Sequence, residues 1–181
     1  MPRCEKVSID VGDLTVERPE GTRVRLADLP GVQVLILLRH RHCLPCHRHL
    51  VDAQNAAGEH FPAGLVAIGF SPADRSAAIA RHLGWRGDVL SDPSRQLYRR
   101  LGIGRAPWWR IYNWGTLALY GRAILKREHL ARPVEDTRQL GGDAVMVDGT
   151  VTTLWRSVSP DDRPPPHEVV AAACAAGEGR E

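Results

Sequence analysis

Residues 32–47 read VQVLILLRHRHCLPCH: a nearly continuous apolar run, a basic stretch, and two cysteines separated by Leu44 and Pro45. A short apolar run without alternation suits a β-strand buried on both faces. Beyond it, Pro45 to Glu59 is made mostly of good helix formers. Pro45 fits the first helical turn, where its missing N–H has no intrahelical partner to lose. Gly58 and Pro62 bracket the end of that helix. The stretch therefore predicts a strand, a tight turn and a helix, with the cysteine pair at the turn.

Working outward, Thr22 to Leu26 alternates as a strand does and ends at the turn Leu29-Pro30-Gly31. Leu65 to Phe70 is a second buried-type strand. Ser71 is a candidate N-cap, with Pro72 behind it and Asp74 in the first turn of a helix to Leu83. Asp88 to Ser91 makes a short third strand, and Asp92-Pro93 opens a helix through Leu101. Asp143 to Val147 and Thr150 to Arg156 flank Asp148-Gly149, a strong hairpin signal. After Pro164-Pro165-Pro166, His167 to Ala176 reads as a closing helix. The N-terminus around Cys4 is expected to be frayed, and residues 177–181 a disordered tail. The alternating part calls for parallel strands with right-handed crossovers, and the hairpin adds antiparallel ones. The expectation is one α/β domain over residues 1–176, a mixed central sheet flanked by helices, with an aromatic-rich helical insertion at 104–132.

The chain has 181 residues, enough to bury a real core. Its apolar share of 43% and charged share of 25% are those of an ordinary globular domain. A net charge of +3, with the arginines scattered, gives no reason to expect a nucleic-acid partner. The polar start has no apolar segment of signal-peptide type, and no run of eighteen uncharged apolar residues occurs. These features predict a cytoplasmic protein without a membrane span. Four cysteines are too few for a disulfide scaffold, and a close pair in a reducing compartment points to catalysis, redox sensing or metal binding.

A helix start places the first sulfur near unpaired backbone N–H groups and the positive end of the helix dipole. Both favour the thiolate, which is the reacting species, and can lower an ordinary thiol pKa of about 8.5 to about 7. Arg39, Arg41 and Arg48, with His40, His42, His47 and His49, could add positive potential. Cys43 is thus the candidate nucleophile and Cys46 the candidate resolving thiol. Three other readings compete. Cys43-x-x-Cys46-His47 matches a haem-attachment motif, but it follows a buried strand instead of opening an all-helical pocket. Zinc would need ligands beyond one CxxC, and no second pair or HxxxH has the usual separation. Two inert core cysteines are the third reading, against which stands the strand-to-helix setting. The expectation is no metal and no cofactor.

These fragments, taken in order, carry a resemblance. The strand leading into Arg39-His40-Arg41-His42-Cys43-Leu44-Pro45-Cys46, then Val66-Ala67-Ile68-Gly69, Leu90-Ser91-Asp92-Pro93, Leu97-Tyr98, Leu140-Gly141-Gly142, Val147-Asp148-Gly149 and Arg156-Ser157 resemble the peroxiredoxin-like branch of the alkyl hydroperoxide reductase and thiol-specific antioxidant superfamily. The resemblance spans about Thr22 to Ala175. It implies a thioredoxin-like fold, a peroxidatic Cys43, a resolving Cys46, and thiol-dependent reduction of peroxides or disulfides. An external thiol or thioredoxin-type reductant would regenerate the pair. Two departures stand out. His40 occupies the place of the family's threonine, three residues before the reactive cysteine, and Gly141-Gly142 stands where thioredoxin has its cis-proline. They bear on peroxidase efficiency and leave the dithiol chemistry intact. Arg156 is a candidate supporting cation, with a solvated strand residue as its plain reading.

Most of the aromatic content lies in the insertion, at Trp108, Trp109, Tyr112, Trp114 and Tyr120. Trp108 and Tyr112 share one helical face, and Trp114 and Leu117 share another. This segment is a candidate substrate-pocket wall, homodimer contact or lid, or else a helical hairpin packed on the core. A dedicated step on an aromatic metabolite and a non-enzymatic redox-sensing module remain open beside the reductase reading.

Overall fold

The computed structural model describes residues 2–40, 42–111, 114–125 and 135–179. The apolar run forms β4 (Val32–Leu37), and every one of its residues is buried. Earlier in the chain come β1 (Cys4–Asp10), β2 (Thr15–Glu17) and β3 (Arg23–Arg25). Later strands are β5 (Gly64–Gly69), β6 (Asp88–Ser91), β7 (Gly142–Val147) and β8 (Thr150–Arg156). They form one eight-stranded sheet in the order β1-β8-β7-β4-β5-β6-β2-β3. β4, β5 and β6 are parallel, as their crossovers require, while β7 pairs antiparallel with both β4 and β8.

The helices are α1 (Leu44–Ala57), α2 (Ala73–His82), α3 (Gln96–Arg100), α4 (Trp108–Ile111), α5 (Trp114–Leu125) and α6 (Pro166–Glu178). Alternation along β4 sorts its side chains between two cores. Leu35 and Leu37 join Ile68, Leu90, Leu97, Tyr98 and Met146 on one face. Val34 and Ile36 join Cys43, Cys46, Leu50, Ala80, Val169 and Ala173 on the other. α1, α2 and α6 therefore cover one face of the sheet, and α3 with Ile111 of α4 the other. This is the mixed sheet, helix-flanked and thioredoxin-like, that the sequence implied.

Several local expectations shift. The start is not frayed: β1 pairs antiparallel with β8, and Lys6 Nζ donates to Thr153 Oγ1 at 3.0 Å. Its residues alternate between half-buried and exposed, so no apolar run announced it. β2 was also unforeseen. Ser71 does not cap α2. Its hydroxyl donates to Glu135 Oε1 at 2.6 Å, and Pro72 occupies the cap position. α3 begins later than Asp92-Pro93, because the Asp92 carboxylate accepts the N–H groups of Gln96 and Leu97 at 3.1 and 2.8 Å across an intervening turn. The hairpin forms as read: Asp148 and Gly149 both have positive φ, 47° and 81°, as a two-residue turn of this hand requires. α6 runs through Glu178, beyond the residue where the tail was expected to begin.

Candidate active site

Cys43 is the N-cap of α1, with extended backbone (φ −76°, ψ 101°), and Pro45 lies in the first turn. The Cys43 N–H donates to the His40 carbonyl at 3.0 Å, and the Cys43 carbonyl accepts from His47 N–H at 3.0 Å. The helix thus starts one residue after a closed turn, bringing Cys46 back beside Cys43. Both side chains are fully buried and both thiols are free. Cys43 and Cys46 share a hydrogen bond, and the Cys46 backbone N–H is directed at the Cys43 sulfur.

Two buried guanidinium groups flank the pair. Arg39, just past the end of β4, donates from Nη1 to Cys43 Sγ at 3.7 Å. Its Nε donates to the Gln139 carbonyl at 3.2 Å, and its Nη2 to the Thr137 carbonyl. Arg163, in the loop before α6, donates from Nη2 to Cys46 Sγ at 3.4 Å and to the Leu37 carbonyl at 2.8 Å. Its Nη1 donates to the Gly142 carbonyl at 3.0 Å and to Asp143 Oδ2 at 3.1 Å. Asp143 Oδ1 in turn lies 2.7 Å from His49 Nε2 on α1.

Burial pushes both thiols up, but the pair titrates as a unit. The first proton leaves easily, because the hydrogen bond from Cys43 and the charges of Arg163 and Arg39 hold Cys46 well below the ordinary thiol value. Burial and the neighbouring Cys46 thiolate then hold the second proton on Cys43. Within the pair, the hydrogen bond from Cys43 and the nearby guanidinium of Arg163 favour ionisation of Cys46, whereas the helix-start argument favours Cys43. Burial raises Asp143 as well, and His49 and Arg163 outweigh it, leaving the carboxylate below its usual range.

The other sequence candidates fall in different places. Arg39 meets Cys43. His40 is buried beside the pair with its pKa lowered to about 4, chiefly by burial, so it supplies no positive charge at neutral pH. Its Nδ1 has no partner among the described residues. His42 and His47 are half-buried, and His47 lines a surface depression with Leu44, Arg48, Val51 and Leu83. Arg156 lies elsewhere: its Nε donates to the Leu101 carbonyl at 2.6 Å and its Nη1 pairs with Glu5. Trp108, Trp109 and Trp114 are exposed, at 53%, 76% and 85%, and Tyr112 lies outside the described residues. Of the insertion's aromatic side chains, Tyr120 of α5 reaches the start of α1. It accepts the Leu44 N–H and is pushed up to about 12 by burial and by the negative charge of the cysteine pair. Among the described residues no three His, Cys, Asp or Glu side chains converge as metal ligands, and no helix is long and apolar enough to cross a membrane.

Arg163 and Asp143 escaped the sequence reading. Asp143 carried a signal, a lone carboxylate opening an otherwise apolar strand, GDAVMV. Arg163 carried none beyond its place ahead of three prolines.

A buried dithiol on the first turn of a helix that follows a central parallel strand defines a thiol redox protein of thioredoxin-like fold. Solved structures share that architecture at low identity. Bacterioferritin comigratory protein of Xanthomonas campestris, described for its alkyl peroxide reduction activity, superposes with a TM-score of 0.65 at 13% identity, over 98% of this chain and 100% of that one. Peroxidoxin BcpB of Mycobacterium tuberculosis gives 0.63 at 17% identity, over 97% and 98%. A secreted disulfide oxidoreductase of Mycobacterium tuberculosis gives 0.52 at 15%, over 88% and 96%. No curated protein matches the chain. The chain belongs to the AhpC/TSA family, whose model matches residues 8–127. It is accordingly a peroxiredoxin-like redox enzyme, a peroxidase or a thiol–disulfide oxidoreductase.

Proposed function

We propose that the protein reduces small peroxides, with Cys43 as the nucleophile and Cys46 as the resolving thiol. The observation that carries this reading is the pair of free sulfurs at the start of α1, flanked by Arg39 and Arg163 yet wholly buried. A small hydroperoxide needs less of the cover displaced than a protein disulfide does.

Moving one proton along the hydrogen bond between the sulfurs places the thiolate on Cys43, facing Arg39 and the Cys46 N–H. That thiolate attacks the peroxide: an S–O bond forms, the O–O bond breaks, and the leaving alkoxide takes the proton from Cys46. The Cys46 thiolate then attacks the Cys43 sulfenic acid, forming the disulfide and releasing hydroxide, which a solvent proton converts to water. An external thiol of thioredoxin type returns two electrons by exchange. Cys4, exposed and unpaired, is compatible with a reducing cytoplasm. No cofactor enters the cycle.

The test is rapid mixing of reduced protein with hydrogen peroxide, an alkyl hydroperoxide or oxidised glutathione. One equivalent of peroxide should remove two thiols, and Cys43→Ser should abolish the reaction. If peroxides leave both thiols free while oxidised glutathione converts them, the protein is a disulfide oxidoreductase instead.

A further inference from the structure

We propose that Arg163 is a catalytic residue of the dithiol, holding Cys46 ionised, and that Asp143 and His49 are the positioning residues that aim it. The proposal rests on the dithiol reading above and assigns the groups that act on Cys46 in its cycle.

The geometry leaves little freedom. Arg163 has four hydrogens on its two terminal nitrogens, and each has a destination: the carbonyls of Leu37 and Gly142, the Asp143 carboxylate, and the Cys46 sulfur. Three of these contacts lie on β4 and β7, which are hydrogen-bonded to each other, so the plane of the guanidinium is set by the sheet. The fourth hydrogen has only the sulfur to meet. A lysine could supply the charge but not this planar fork.

Asp143 is completely buried, a costly place for a carboxylate unless it is paired. Arg163 takes one oxygen and His49 the other, from opposite sides. His49 thereby fixes the carboxylate's rotation, and the carboxylate fixes Arg163. Two guanidinium groups, Arg39 and Arg163, each donate to one of the sulfurs, and both are held by acceptors fixed in the fold. The other groups that sense the Cys46 sulfur are Cys43, His40, Tyr98 and Tyr120.

The chemical consequence lies in both halves of the cycle. In oxidation, the ionised Cys46 attacks the sulfur of the Cys43 sulfenic acid. In reduction, an external thiolate bonds to the Cys43 sulfur, the S–S bond breaks, and its electron pair leaves on Cys46, where Arg163 receives the charge. A leaving thiol of lower pKa departs faster.

The experiment titrates single thiols by thiolate absorbance near 240 nm. In Cys43→Ser protein, adding Arg163→Gln should raise the midpoint of the Cys46 titration by about one to three pH units, the effect of losing an adjacent opposite charge. Arg163→Lys, a milder change, should give a smaller rise. In Cys46→Ser protein, Arg163→Gln should move Cys43 much less. His49→Leu should shift Cys46 in the direction of Arg163→Gln, and His49→Gln, which keeps an N–H for Asp143, should restore it; a side chain that merely fills space would move neither titration. A Cys46 titration indifferent to Arg163, or equal shifts at both sulfurs, would overturn the proposal. No oxidant enters these titrations. A protein inert to peroxide and disulfide but with an Arg163-dependent Cys46 would sink only the functional reading, and the converse result only this one.

Discussion

His49 and Asp143, 94 positions apart in sequence, meet at 2.7 Å between two layers of the fold, where both are buried. This contact ties α1 to the start of β7, and its removal should be felt in stability. Asp143→Ala strands Arg163 and His49 without their carboxylate. Breaking a buried pair from one side costs about 3–5 kcal/mol. Urea unfolding should show a loss of that order; a loss below about 1 kcal/mol would mean that water reaches the site.

Tyr120 should govern access to the sulfurs. It is half-buried, accepts the Leu44 N–H and senses Cys43. Replacing it with alanine should raise the alkylation rate of the reduced pair by iodoacetamide several-fold, without changing the circular dichroism spectrum. Replacing exposed Trp109 with alanine should leave that rate unchanged. Equal rates in Tyr120→Ala and the native protein would place the entry route elsewhere.

His40 makes stability depend on pH. Its pKa falls from 6.5 to about 4, with burial as the main cause and Arg39 and His42 opposing its charge, against the pull of Cys46 and Glu135. The folded protein therefore holds the imidazole neutral where the unfolded chain would protonate it. The resulting stability is full above pH 6.5, shrinks as pH falls, and is gone below about 4. The contribution is on the order of 3 kcal/mol across that window. His40→Gln should flatten the unfolding free energy between pH 4 and 6.5; an unchanged slope would assign it to other groups.

Gly141 should not tolerate a side chain. A Cβ there would overlap the Leu37 carbonyl oxygen and the Arg163 guanidinium. Gly141→Ala should push Arg163 off Cys46 and reproduce the titration shift of Arg163→Gln, even if the fold survives. An alanine variant with native thiol titration would show that the backbone gives way instead.

The central fold was legible because its signals are local. The VQVLILL run, the proline-marked start of α1 and the Asp148-Gly149 turn each announce their structure within a few residues. β1 was missed because its apolar face is only Val7 and Ile9, alternating with polar residues on an edge strand paired to β8 alone. The cysteine pair could be read from position alone. Its electrostatics could be read only in part: Arg39 is local and meets Cys43, but His40 is neutral at neutral pH and the second cation arrives from position 163. A contact 117 residues distant leaves no periodic trace.

The stretch matched by the family model ends at residue 127, before Asp143 and Arg163. A fragment cut there would retain both sulfurs, the leading strand and the helix, yet lack the carboxylate and one of the two cations. During synthesis the thiols emerge with Arg39 but long before Arg163, so the second cation joins the pair only after the closing hairpin has been made and the chain beyond it docks.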